Sequence, residues 1–156
     1  MWRFAARDES QTRALGAALG RIVAGPTFVA LNGDLGAGKT CFAQGLGAAL
    51  KVDQPIVSPT FVLMAEYQGT MPLLHADTYR LSEAELPGVG LEEALDDWPG
   101  VALVEWADRF PDLLPADHLK VDIHQAAGGR EFMVCSTGPI HSQILKQWRE
   151  EAGESR

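Results

Sequence analysis

Apolar residues change their spacing several times along the chain, and each change marks an element. Trp2 to Ala5 predicts a short strand. Asp8 follows as a helix N-cap with Gln11 three positions on, and Leu15, Ala18, Leu19 and Ile22 then share one face of a helix. Gly25-Pro26 closes that helix. Residues 27–31, Thr-Phe-Val-Ala-Leu, are apolar without alternation, the pattern of a strand covered on both faces. From Lys39 to Leu50 the period becomes helical again, with Phe42, Leu46, Ala49 and Leu50 as the stripe. Gly45 and Gly47 inside it each cost about 1 kcal/mol relative to alanine, a penalty that close packing against the sheet is expected to offset.

Residues 60–68 and 71–76 read as two strands of a hairpin turning at Gly69-Thr70. The stretch 81–100 is polar, acidic and broken by Gly and Pro, and reads as a surface excursion with one short helix at Leu91 to Leu95. Val101 to Val104 is a second unbroken apolar run ending in Glu105-Trp106, again a buried parallel strand. Leu119, Val121 and Ile123 alternate with Lys120, Asp122 and His124, and residues 132–137 follow a Gly128-Gly129 turn, which predicts a half-solvated antiparallel pair. Pro139 opens a last helix whose Ile140, Ile144, Leu145 and Trp148 share a face, and Gly153 stops it. Together these elements predict an α/β fold, a three-layer domain with a mixed parallel and antiparallel central sheet flanked by helices.

Composition narrows the picture. A chain of 156 residues, 46% hydrophobic and 22% charged, has room for one core, so residues 1–156 are expected to form a single domain. Thirteen Lys and Arg against 21 Asp and Glu leave a net charge of -8, the wrong sign for a broad nucleic-acid or anionic-membrane surface. The surplus is local: residues 82–122 hold 11 acids and two bases, either a solvated face or a docking surface for a basic partner. Cys41 and Cys135 have no metal-ligand spacing and read as free thiols. With no apolar leader core at the N-terminus and no run approaching the ~18 apolar residues of a membrane helix, a cytoplasmic protein is expected, without a membrane partner.

Chemistry enters between the first apolar strand and the second helix. Gly33-Asp34-Leu35-Gly36-Ala37-Gly38-Lys39-Thr40 completes G-x-x-x-x-G-K-[ST] in the strand-loop-helix context that the motif requires. Gly33, Gly36 and Gly38 can take backbone angles closed to other residues and bring N–H groups close to phosphates, while the helix that follows presents its positive end. Lys39 adds a point charge at the β- and γ-phosphates and the Thr40 hydroxyl is placed to ligate Mg2+. The loop makes the expected three-layer fold a P-loop NTPase-like domain, with a nucleoside triphosphate and Mg2+ as the expected ligand. Cys41, directly after Thr40, is grouped with the loop's nucleotide contacts and reads as a small packed helix residue rather than a nucleophile.

Hydrolysis needs an acid that holds the metal and a group that orients the nucleophile. Glu105 ends an apolar strand where a Walker-B-type carboxylate belongs. Asp77 follows the other apolar run and is either a second such acid or a turn former. Thr60, in Ser58-Pro59-Thr60-Phe61, is either a switch hydroxyl or a turn residue, and on its own reads as the latter. His75 either turns inward near Asp77 or is a core or structural histidine, and reads as the latter.

Five segments resemble one known family in order and spacing: the glycine loop, Ser58-Pro59-Thr60-Phe61, His75-Ala76-Asp77-Thr78-Tyr79-Arg80-Leu81, Gly90-Leu91-Glu92-Glu93 and Val104-Glu105-Trp106-Ala107. They are similar to the TsaE (YjeE) family, the small bacterial ATPase of tRNA threonylcarbamoyladenosine synthesis, over about residues 5–125. The resemblance implies that the chain binds ATP and Mg2+, hydrolyses ATP slowly alone, and acts with the TsaD and TsaB proteins, touching tRNA mainly through that complex. It implies catalytic roles for Lys39, Asp77 and Glu105, nucleotide contacts from residues 33–41 and Thr60, and metal contacts from Thr40, Thr60, Asp77 and Glu105. It turns Thr60 from a turn residue into a switch threonine and matches Trp106 to the aromatic beside the second acid. Residues 130–156 carry no matching motif.

Two other functions compete with that reading. A small-molecule P-loop kinase would need cations around the transferred group and a lid, yet outside the loop the central region offers only Arg80 and Arg109. A non-catalytic module could use the nucleotide only to order a docking surface. Asp97-Trp98-Pro99-Gly100 spells the D-x-x-G of a GTPase, but it precedes a strand instead of ending one and reads as accidental.

Overall fold

The computed structural model describes residues 1–34, 36, 38–59 and 63–153. Four parallel strands form the middle of a seven-stranded sheet ordered β1-β7-β6-β2-β5-β4-β3. β2 (Thr27–Gly33) and β5 (Val101–Glu105) are the two unbroken apolar runs, and they lie side by side in parallel. β4 (Leu73–Asp77) and β6 (Leu119–Ala126) flank them, also parallel. The remaining strands, β1 (Trp2–Ala6), β3 (Met64–Tyr67) and β7 (Gly129–Ser136), add antiparallel at the two sides, giving the expected mixed sheet. The hairpin strand expected from Thr60 runs only Met64–Tyr67, because Leu63 before it takes a left-handed backbone with φ 70°, and residues 60–62 lie outside the described residues.

One face is covered by α1 (Glu9–Ile22), α2 (Lys39–Ala49) and α4 (Pro139–Ala152), over Val29, Leu31, Leu103, Val121 and Phe132. Asp8 caps α1 as expected, accepting the Gln11 N–H at 2.9 Å, while the Gln11 side chain accepts from the Arg7 N–H at 2.6 Å. Trp148 anchors α4: it is fully buried, meets Trp2 edge-on at 5.3 Å between centroids, and donates from Nε1 to the Leu15 carbonyl at 3.0 Å. The C-terminal helix thus has a packing role that no motif announced.

Three expectations need correction. The stretch 81–100 is more than a surface excursion, because Leu91 and Leu95 of α3 (Leu91–Leu95) are buried on the second face of the sheet with Ala30, Leu74, Ala102 and Val104. Parallel strands must be covered on both sides, so two leucines of a mostly polar segment supply the third layer. Second, the glycines of α2 pack against α1 and a loop rather than the sheet. A Cβ on Gly45 would stand 1.9 Å from the Arg13 carbonyl oxygen, and one on Gly16 2.2 Å from that of Phe42, so the two helices cross backbone to backbone. A Cβ on Gly47 would meet Ile56 Cδ1 at 2.0 Å. Third, Ile140 is 64% exposed, and His141 turns inward in its place. His141 Nε2 accepts the Phe28 N–H at 3.0 Å and Nδ1 donates to Asp117 at 2.8 Å, while Asp117 also accepts the Ile140 and His141 N–H groups at the start of α4.

Candidate nucleotide site

The glycine loop leaves the end of β2 and enters α2 at Lys39, at the C-terminal edge of the parallel strands, where ligands of open α/β sheets bind. Gly36 and Gly38 have φ of 81° and 107°, the left-handed region that favours glycine. Gly33 departs from the expected pattern: it finishes β2, in register with Ile123. Leu35 and Ala37 lie outside the described residues, as does Thr60.

Lys39 is 6% exposed, and its ammonium is folded back onto its own loop. Nζ donates to the Gly33 carbonyl and, at 3.2 Å, to that of Asp34, and it sits 4.7 Å from the Trp106 ring centroid. Burial pushes the Lys39 pKa down, opposed by the negative charges of Glu105, Asp77 and Asp34. Trp106 takes a left-handed backbone with φ 60° at the end of β5, a conformation that costs a bulky residue roughly 1–2 kcal/mol, and its ring stacks on Tyr79 at 4.9 Å.

Strand register brings the two acids together. Asp77 ends β4 and Glu105 ends β5 as direct partners across a parallel pair, and Glu105 is also in register with Leu31 of β2, two residues before the loop. Both are 2% exposed. Asp77 accepts the Tyr79 N–H at 2.8 Å. Glu105 is held at its backbone by Thr78, whose N–H and hydroxyl each reach the Glu105 carbonyl at 3.1 Å, and at its carboxyl by His75 Nε2 at 2.5 Å. His75 is therefore fully buried in the core, as expected of a structural histidine, yet its Nε2 meets the carboxyl of Glu105. Arg109 donates to the carbonyls of Thr78 and Tyr79, so this arginine braces the turn after β4.

A cavity of about 350 Å³ opens above these residues, with Gly36, Gly38, Lys39, Thr40, Cys41 and Glu105 among its walls. Asp34 is exposed at the loop's rim, and Asp77 lies beneath, beside Glu105. The opposite wall is formed by Arg7, Asp8 and Thr12 around the start of α1, Ser58, and Gly129-Arg130 at the β6-β7 turn; of these the sequence singled out only Ser58, as part of a matching segment, and Asp8, as a helix cap. Arg130 donates to the Gly36 carbonyl at 3.1 Å, tying that turn to the glycine loop. The sequence signal was only an arginine after two glycines.

Two buried carboxylates facing one ammonium leave negative charge in a water-poor place, which suits a cation. Among the described residues no group of three or more His, Cys, Asp and Glu stands together as a metal cage. The donors at hand are oxygens, Thr40 and the two acids, and a small set of this kind suits Mg2+, which keeps waters and takes phosphate oxygens. Asp97-Trp98-Pro99-Gly100 lies at the start of β5, the opposite end of the strand from the loop, so its GTPase-like spelling has no site to serve.

A mixed sheet with a glycine loop joining a central strand to a helix N-terminus defines a P-loop NTPase-like α/β protein. The family model of TsaE, threonylcarbamoyl adenosine biosynthesis protein TsaE, matches residues 6–132, and the chain belongs to that family. The match includes Gly129 and Arg130 and stops before α4. A protein of Treponema pallidum named tRNA threonylcarbamoyladenosine biosynthesis protein TsaE is 37% identical over 85% of this chain and 98% of its own. One of the same name from a Nostoc species is 44% identical over 67% of each chain. The crystal structure of YdiB from Bacillus subtilis superposes with a TM-score of 0.72 and 28% identity, covering 96% of this chain and 93% of that one.

Proposed function

We propose that this chain, acting as one domain, binds ATP with Mg2+ in the loop cavity and hydrolyses it. In this reading it does so in the cytoplasm, as a component of N6-threonylcarbamoyladenosine formation on tRNA, with the TsaD and TsaB proteins as partners. The shared name of its relatives supports the pathway. The observation that carries the chemistry is the convergence of Lys39, at the start of α2, on Asp77 and Glu105, which share one layer of β4 and β5.

Each residue's part follows from its place. The N–H groups around Gly36 and Gly38 and the start of α2 offer positive potential to the phosphates. Lys39 exchanges the neutral carbonyls of Gly33 and Asp34 for charged phosphate oxygens, and because its ammonium is already buried the swap adds little desolvation. Thr40, Asp77 and Glu105 would hold the Mg2+, directly or through water, and the ion would supply neutralisation of phosphate charge. One of the two acids also orients the attacking water. The Trp106 and Tyr79 rings wall the Lys39 side against solvent. With a net charge of -8, the chain is suited to leave most of the tRNA to its partners.

Reconstitution with tRNA, threonine, bicarbonate, ATP, TsaD and TsaB tests this. Repeated turnover of modified tRNA should depend on the chain and be lost, by at least about 100-fold, with Lys39→Ala. Equal turnover with or without the chain, or with Lys39→Ala, overturns the assignment. Glu105→Ala should abolish turnover while leaving partner binding intact, whereas a nucleotide-gated module would keep its function.

A further inference from the structure

We propose that His75 is a positioning residue for Glu105: its Nε2–H fixes the carboxyl rotamer and so sets the affinity of the nucleotide site for a divalent cation. The inference rests on the reading of that site as one for a metal-nucleotide complex.

The contact is built by strand register. Asp77 pairs with Glu105 and His75 with Leu103 across β4 and β5, so His75 and Glu105 are diagonal neighbours on one face of the sheet. Nε2 and Oε2 lie 2.5 Å apart, with side chains 0% and 3% exposed. A carboxylate oxygen can only accept, so Nε2 carries the donating hydrogen.

Apolar packing gives no reason for a histidine here. The neighbours Leu73, Leu74, Ala76 and Leu103 are fully buried and apolar. The other ring nitrogen, Nδ1, is buried and has no partner among the described residues. An orphaned buried nitrogen destabilises the fold, and an apolar side chain in β4 would avoid it. What the ring does accomplish is to grip one carboxyl oxygen of a residue that lines the cavity, leaving the second oxygen for the cavity. The Glu105 backbone is already fixed by Thr78, so His75 adds nothing to the strand's course and acts on the side chain alone. A glutamate has three rotatable bonds, and without the ring it would lose rotamer freedom only on metal binding, which would weaken that binding. Partners one step removed from a metal typically change its affinity by about 10- to 100-fold when lost.

The test uses the full chain with Mn2+ as the probe, followed by electron paramagnetic resonance in the presence of a non-hydrolysable ATP analogue, together with analogue affinity without metal and thermal midpoint. His75→Leu should weaken Mn2+ binding about 10- to 100-fold with metal-free analogue affinity held, while the thermal midpoint falls because the buried Glu105 carboxyl loses its partner. His75→Gln, whose amide nitrogen stands where Nε2 stands, should restore most of the affinity, and the shorter His75→Asn should not. The Gln and Asn pair keeps the test decisive if the leucine variant fails to fold. Wild-type Mn2+ affinity in His75→Leu, or equal affinity in the Gln and Asn variants, overturns the proposal. If the unsubstituted chain itself shows no metal-dependent analogue binding, the site reading beneath it falls first.

Discussion

His141 shows how much one side chain can decide. Its ring bridges the start of β2, through the Phe28 N–H, and the Asp117 carboxylate that caps α4. The Nε2 acceptor exists only in the neutral ring, since a protonated imidazole has two donors. Burial pushes the His141 pKa down, opposed by the hydrogen bond and charge of Asp117 and reinforced by His118. A folded-state pKa below the unfolded value of about 6.5 means that the unfolded chain binds more protons as pH falls. Stability from this bridge is therefore complete above about pH 6.5 and lost below it. Thermal midpoints between about pH 8 and pH 5 should fall on the acid side, and His141→Gln should flatten that part of the profile; an unchanged slope would refute the bridge.

At the scale of elements, the packing of α1 on α2 rests on the absence of side chains. Gly16 and Gly45 let the two backbones approach until a single methyl would collide with a carbonyl oxygen. This packing matters beyond stability, because α1 begins at the cavity wall formed by Asp8 and Thr12, and α2 begins at Lys39. Gly45→Ala gains about 1 kcal/mol in helix propensity but forces overpacking against a backbone that cannot yield. A net loss of about 2 kcal/mol or more is expected in denaturant unfolding, together with weaker nucleotide binding as the helices part. A stabilised variant would show that the helices can slide. The sequence displayed the glycines and their cost, but not the partner, because helical period identifies a buried face without saying what lies on it.

The same division holds for the acidic segment at the scale of the whole molecule. Its excess was countable in the sequence, but the structure separates its members. Glu105 is buried in the site and Asp117 caps α4, while Glu92, Glu93, Asp96, Asp97 and Asp112 rim an open groove of about 920 Å³ floored by Phe28, Leu95, Trp98 and Leu113. These rim carboxylates repel one another, and Asp97 also holds a left-handed backbone at φ 61°. Screening should therefore stabilise the fold: raising NaCl from about 20 to about 300 mM, where the Debye length drops below ~10 Å, should raise the thermal midpoint. The double variant Glu93→Gln with Asp97→Asn should lose part of that gain. A midpoint insensitive to salt would show that the rim charges are too far apart to interact.

Local patterns in the chain were enough to specify the alternating elements, the two buried parallel strands, the Asp8 cap, the Gly153 stop and the phosphate loop. Each depends on period, cap chemistry or a contiguous motif, all of which act within a few residues. Glu105 was marked as a site acid by its place at a strand end, again a local property. Tertiary structure decided everything that requires two distant segments to meet. It set Asp77 beside Glu105 through strand register, placed His75 behind the same carboxyl, and closed the cavity with Arg7 and Arg130 from opposite ends of the chain. It also buried leucines of a polar stretch and turned His141 inward instead of Ile140. Those outcomes depend on which faces the sheet leaves uncovered, and no single segment carries that information.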